Sequence, residues 1–131
     1  MAKFGKTSQQ RLKTCHWNLQ LIMSEVIKLY DFSVLEGERT LELQQEYYKD
    51  GKSKLDGIIK KSKHQSSPSM AIDIAPYPID WNDIARFHYL AGLVMAKADE
   101  LQIKIRWGGD WDMDSDFKDQ DFYDLPHFEL V

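Results

Sequence analysis

The 131-residue sequence predicts an α+β domain, about three helices packed on a short antiparallel sheet. Apolar residues recur every three or four positions in the helical stretches and alternate in the short ones. These elements come in mixed order rather than as strict strand-helix alternation. A chain this long buries about two-thirds of the surface its unfolded form exposes, so one domain spanning 1–131 is expected.

The first helix is expected over about 8–29, with Ser8 as its cap and Leu12, Cys15, Leu19, Ile22, Val26 and Tyr30 on its inner face. Phe32 to Leu35 reads as a strand, and Thr40 then caps a second, short helix through Leu41, Leu43, Gln44 and Tyr47. From about 51 to 69 the composition turns to Lys, Ser, Gly and Pro, with Ile58 and Ile59 as the apolar anchors. That stretch reads as a long mobile loop of the kind that often serves as a lid or binding loop. Met70 to Ala75 is a strand closed by Pro76 and Pro78. A third helix begins at Asp80 or Asn82 and carries the stripe Ile84, Phe87/His88, Ala91, Val94/Met95, Ala98 and Leu101. Ile103 to Trp107 is a strand halted by Gly108-Gly109, an acidic loop follows over about 110–124, and His127 to Val131 is the terminal strand.

Composition excludes several classes. The net charge is −4 with no basic stripe among aromatics, which argues against nucleic acid as a partner. No apolar run approaches the ~20 residues of a membrane span, so no membrane insertion is expected. The N-terminus lacks the apolar segment of an export signal, and the chain is expected to begin in the cytoplasm. The single Cys15 closes no disulfide within the chain and reads as a buried thiol.

Alternation along the strands separates core from chemistry. Met70, Ile72 and Ile74 share one face, and Ala71, Asp73 and Ala75 the other. Asp73 is thus flanked by methyl-sized neighbours that leave room for a bulky group, a metal ion with its water or a buried arginine. In the last strand Phe128 and Leu130 take the core face, while His127 and Glu129 take the other. His64 comes from the loop before Asp73. Two imidazoles and a carboxylate with an open fourth position form the donor set of a catalytic zinc site. His88 reads as a core histidine on the third helix and His16 as a helix-surface residue. Trp81, Trp107 and Trp111 read as core or rim, with Trp107 and Trp111 bracketing the Gly108-Gly109 turn.

The motifs Ser62-x-His64, Ala71-x-Asp73 and Asp124-x-x-His127, with Gly37-x-Arg39-Thr40 and Gln44, resemble the D-Ala-D-Ala carboxypeptidase/dipeptidase family of zinc peptidases. Within it the likeness is to the small phage endolysins that are L-alanyl-D-glutamate peptidases, and it runs from the Ser8 helix to Glu129. The family's stretch Ser-x-His-x-x-Gly-x-Ala-x-Asp is two residues longer here and lacks the glycine.

The resemblance implies that His64, Asp73 and His127 bind Zn²⁺, that Asp124 is the general base, and that Arg39 holds the scissile carbonyl or its oxyanion. Arg39 reads alternatively as the partner of Glu36 or Glu38, and Glu129 as the partner of an imidazole N–H. The implied protein is a metallopeptidase hydrolase and bacteriolytic endolysin. It would cut the stem peptide of peptidoglycan between L-Ala and D-Glu during phage lysis, first in the host cytoplasm and then at the cell wall. It is expected to work as a monomer without a separate wall-binding domain, its lysine-rich loop engaging stem carboxylates. Alternatives are a D,D- or L,D-carboxypeptidase, or a non-catalytic zinc-stabilised binding module. The ladder Asp110, Asp112, Asp114, Asp116 and Asp121 echoes part of a calcium loop, without its central glycine or closing glutamate, and suggests Ca²⁺ as a regulator.

Overall fold

In the computed structural model, which describes residues 2–118, 120 and 123–131, the first apolar stripe forms two helices rather than one. They are α1 (Lys6–Leu12) and α2 (Trp17–Val26). The break falls where the chain pairs with the loop before the second strand: Ser69 N–H donates to Thr14 O (2.9 Å) and His16 N–H to Ser69 O (2.8 Å). Periodicity alone does not reveal such a partner, and the stripe continues across the break because Cys15 is still buried. Ser8 is not the cap. It lies inside α1, buried, and its hydroxyl accepts the Val34 N–H at 3.0 Å, whereas Gly5 opens the helix. His16 caps α2, its Nδ1 accepting from Asn18 N–H.

Strand β1 (Phe32–Glu36) is followed by α3 (Leu41–Lys49), capped by Thr40, whose hydroxyl accepts the Leu43 N–H at 3.1 Å. Residues 51–69 hold one 3₁₀ turn (Lys63–Gln65), and hydrogen bonds cross the stretch. Asp56 Oδ1 accepts the N–H groups of Ile58, Ile59 and Lys60, and Gln44 donates to Ser53 Oγ and Leu55 O. The longer turn after His64 is a closed excursion, because Met70 N–H returns to Lys63 O at 3.0 Å. Ser66, Ser67 and Pro68 in that excursion are exposed, and His64 Nε2 lies 3.1 Å from Asp73 Oδ1.

Strand β2 (Ala71–Pro76), helix α4 (Ile84–Glu100), β3 (Ile105–Gly108) and β4 (Asp124–Leu130) complete the fold. The last strand begins at Asp124, three residues before the predicted start. On α4 the buried stripe is Phe87, Leu90, Ala91, Val94 and Ala98, with Ile84 exposed and His88 half-buried at the edge. Among the described residues this makes four helices and four strands, an α+β domain.

The sheet is antiparallel in the order β1-β2-β4-β3. Its inner face presents Phe32, Val34, Ile72, Ile74, Ile105, Trp107, Phe128 and Leu130 to one core with Leu19, Ile22 and Met23 of α2 and Leu90 and Val94 of α4. Burying a side chain of this size stabilises by about 1.5–3 kcal/mol, so this face fixes the register. A one-residue slip would send every functional side chain into the core. The opposite face carries two cross-strand rows, Glu36–Asp73–His127 and Ala71–Glu129–Arg106. A bulge between Val34 and Glu36 places Glu36, rather than Leu35, beside Asp73.

Candidate active site

His64, Asp73 and His127, separated by up to 63 residues in sequence, meet on the open face of the sheet. His64 Nε2 and His127 Nδ1 each lie 3.1 Å from Asp73 Oδ1 and 3.3 Å from one another. The second nitrogen of each ring is already engaged. His64 Nδ1 is 2.7 Å from the carbonyl of Gly37, which accepts only, so that nitrogen carries the proton. His127 Nε2 is 2.8 Å from Glu129 Oε1 and donates to that carboxylate. Neutral imidazoles held in these tautomers aim two lone pairs at a carboxylate oxygen. With both rings neutral, three acceptors and no donor face one another, a pocket for a cation.

The dimensions agree with that reading. Ligands of a tetrahedral zinc at bond lengths of ~2.0–2.1 Å stand roughly 3.3 Å apart, close to the three edges of this triangle. His64, Asp73 and His127 are thus a group able to hold a metal ion, with Gly37 and Glu129 orienting the rings. Two glycines allow the approach. A Cβ on Gly37 would meet Thr14 Oγ1, the Arg11 carbonyl and Cys15 Sγ, and one on Gly108 would meet the Asp124 backbone.

Charges in the site are strongly perturbed. Without a metal ion, burial works against ionised Asp73, yet hydrogen bonding to His127 and His64 outweighs it and holds the carboxyl well below the usual range. Burial also opposes a charge on His127, but without metal the carboxylates of Asp73 and Glu129 raise it to about 9. The same bonds, with Arg106, outweigh burial at Glu129 and lower it to about 2. Asp124 behaves oppositely: burial first, then the nearby charge of Asp73, raises it to about 6. Asp124 Oδ2 is 4.0 Å from His127 Nδ1, beside the triangle of candidate ligands and not part of it. A half-exposed carboxylate with that pKa suits proton transfer near neutrality.

Arg39 unites the two readings its sequence allows. Its Nε forms a close ion pair with Glu36, Nη1 donates to Gln44 Oε1 at 2.6 Å, and Nη2 lies 3.7 Å from Asp73 Oδ2, so the guanidinium is both paired and at the site. Tyr47 covers it, with the guanidinium carbon 4.7 Å from the ring centre, and donates to Glu36 Oε2 at 3.0 Å. Arg39, Tyr47 and Asp73 line a cleft of about 480 Å³ with lysines of the 51–69 loop, Arg106 and Trp111.

Sequence reasoning did not single out Arg106, whose Nη2 donates to Glu129 Oε2 at 2.7 Å. Alternation along β3, Ile105 and Trp107 inward, was the signal for it. Cys15 is buried, its thiol pushed up to about 12 chiefly by that burial, and stands apart from the cleft. Trp107 belongs to the core, Trp111 to the cleft rim, and Trp81 is exposed, stacked on Phe87. His88 packs edge-on against Trp107 and Phe117.

In the acidic loop Asp110, Asp112 and Asp114 bring carboxylate oxygens within 4.8 Å of one another. Among the described residues Asp110 Oδ1 is buried without a hydrogen-bond partner. Asp116 stands outside this triangle, accepting the Lys118 N–H at 3.0 Å, and Asp121 lies outside the described residues.

The family model for phage L-alanyl-D-glutamate peptidases matches residues 1–131, the whole chain. The chain belongs to the phage L-alanyl-D-glutamate peptidase family. Within this peptidase family it is 37% identical over 137 residues to the L-alanyl-D-glutamate peptidase of Escherichia phage T5, covering 98% of each protein. Its fold is also that of the crystal structure of the Serratia marcescens L-Ala D-Glu endopeptidase ChiX. That match has a TM-score of 0.77 and 26% identity, covering 98% of this chain and 90% of the other. The family likeness expected from the three motifs is therefore present along the full chain.

Proposed function

We propose that this protein is a zinc-dependent endopeptidase that hydrolyses the L-Ala-D-Glu bond of the peptidoglycan stem, acting as a monomeric phage lysis enzyme that accumulates in the host cytoplasm before reaching the wall. The observation that carries the reading is the converging triangle of His64 Nε2, Asp73 Oδ1 and His127 Nδ1. The names of the T5 and Serratia proteins supply the bond.

His64, Asp73 and His127 would hold zinc, which would supply a Lewis acid and lower the pKa of water towards neutrality. Asp124, ionised, takes a proton from the attacking water and returns it to the leaving amine of D-Glu. Arg39, fixed by Glu36 and Gln44, keeps a permanent charge toward the oxygen of the scissile carbonyl as negative charge gathers there. Glu129 and the Gly37 carbonyl keep the imidazoles in the ligating tautomer. In the same reading Asp110, Asp112 and Asp114 would hold Ca²⁺, which would order the loop leading to Asp124. The unpaired Asp110 oxygen supports that assignment.

Mass spectrometry of digested muropeptides tests the bond. New N-terminal D-Glu is expected. Free D-Ala would replace this reading with a carboxypeptidase, and unaltered muropeptides in the presence of zinc would favour a binding module.

A further inference from the structure

Surplus positive charge in the cleft lies away from Arg39. Glu36 and Asp73 surround that guanidinium, two carboxylates to one cation. Beyond His127 the balance reverses. Glu129 Oε1 is occupied by His127, and Oε2 meets two cations, Arg106 Nη2 at 2.7 Å and Lys63 Nζ at 3.4 Å. With His127 neutral, this end carries a surplus positive charge, and the exposed Lys61 lines the same cleft, whereas Lys52 stands over Tyr47 at the Arg39 end. The chain as a whole is acidic, at −4. Arg106 keeps 34% of its side chain exposed, and among the described residues its Nε has no hydrogen-bond partner. Trp111 joins the two ends, its ring 5.5 Å from that of His127 and 5.9 Å from the Arg106 guanidinium.

A glutamyl residue joined to its neighbours through its amine and one carboxyl keeps the other carboxyl free. In a peptide cut on the amine side of D-Glu, that carboxylate lies a few bonds beyond the leaving nitrogen. It travels with the part of the substrate that extends past the metal ligands. Resting on the peptidase reading, we propose that Arg106, backed by Lys63, binds the free carboxylate of the D-glutamyl residue and so selects acidic over amidated substrates. The planar fork of donors suits a carboxylate, whereas a neutral amide of the same shape offers it half the acceptors and no charge.

The test compares kcat/KM of the zinc-loaded enzyme on an L-Ala-D-Glu peptide and on the same peptide with the free carboxylate amidated, for wild type, Arg106→Gln and Arg106→Lys. Wild type should prefer the acid by about tenfold, mostly through KM, the worth of one charge-assisted hydrogen bond. Arg106→Gln should bring the ratio close to one, and Arg106→Lys should restore part of it. Any general loss passed through Glu129 to His127 lowers both rates and cancels in the ratio. A wild-type ratio near one, or an unchanged ratio in Arg106→Gln, overturns the proposal and leaves the peptidase reading intact. Failure of wild type to cut either peptide overturns the peptidase reading itself, and this assignment with it.

Discussion

Glu129 Oε1 lies 2.8 Å from His127 Nε2, and this bond decides which nitrogen of His127 faces Asp73. Replacing Glu129 by alanine frees the ring to turn and to change tautomer. Metal affinity should fall about 10- to 100-fold, read by competition with a chelating dye. Unchanged affinity would mean that the neighbouring strands alone orient His127.

Gly37 plays the matching part for His64, its carbonyl accepting from Nδ1 at 2.7 Å. Gly37→Ala pushes a methyl into Thr14, Arg11 and Cys15 and shifts that carbonyl. The variant should lose about 1–3 kcal/mol of stability by overpacking and should also bind metal more weakly. Denaturant midpoints and metal titration separate the two losses.

The perturbed groups set a pH dependence whose direction follows from their shifts. Asp124, raised to about 6, acts as base only when ionised, so kcat/KM should climb with pH along a limb at or below 6, metal lowering the value. Asp124→Asn should remove that limb and cost about 10²- to 10⁴-fold in rate, with metal content unchanged. In the metal-free protein both Asp124 and His127 have folded values above their ordinary ones. Their stabilisation is present below about 3.8 and 6.5 respectively, and is lost as pH rises through 6 and through 9. Thermal scans of metal-free protein should show this decline, and saturating metal should suppress the His127 part.

Much of the fold was legible because period-two and period-3.6 patterns report burial directly. The faces of β2 and β4, with Ile72 and Phe128 inward and Asp73 and His127 outward, follow from alternation alone. The split at Thr14–His16 was not legible, since it depends on Ser69, more than fifty residues away. Glu36 beside Asp73 was hidden for a related reason: a bulge shifts the register there, and simple alternation would have placed Leu35 at that point. His64, Asp73 and His127, the group able to hold a metal ion, were suggested by residue type and singled out by the motifs that carry the family resemblance. The carbonyl of Gly37 was not, because a backbone acceptor leaves no mark on residue identity.

A calcium titration of protein with defined zinc content tests the acidic loop. Ca²⁺ should raise the melting temperature and the rate, and Asp110→Asn should abolish both responses. Activity and melting that do not change across the titration would leave the loop a solvated acidic segment.

The most direct test of the metal-centred account is digestion of purified peptidoglycan by protein stripped with a chelator, before and after zinc is returned, with products read by mass spectrometry. The account predicts no cleavage by the stripped protein and new N-terminal D-Glu once zinc is restored, with His127→Ala inactive in both. Equal cleavage with and without metal would contradict it.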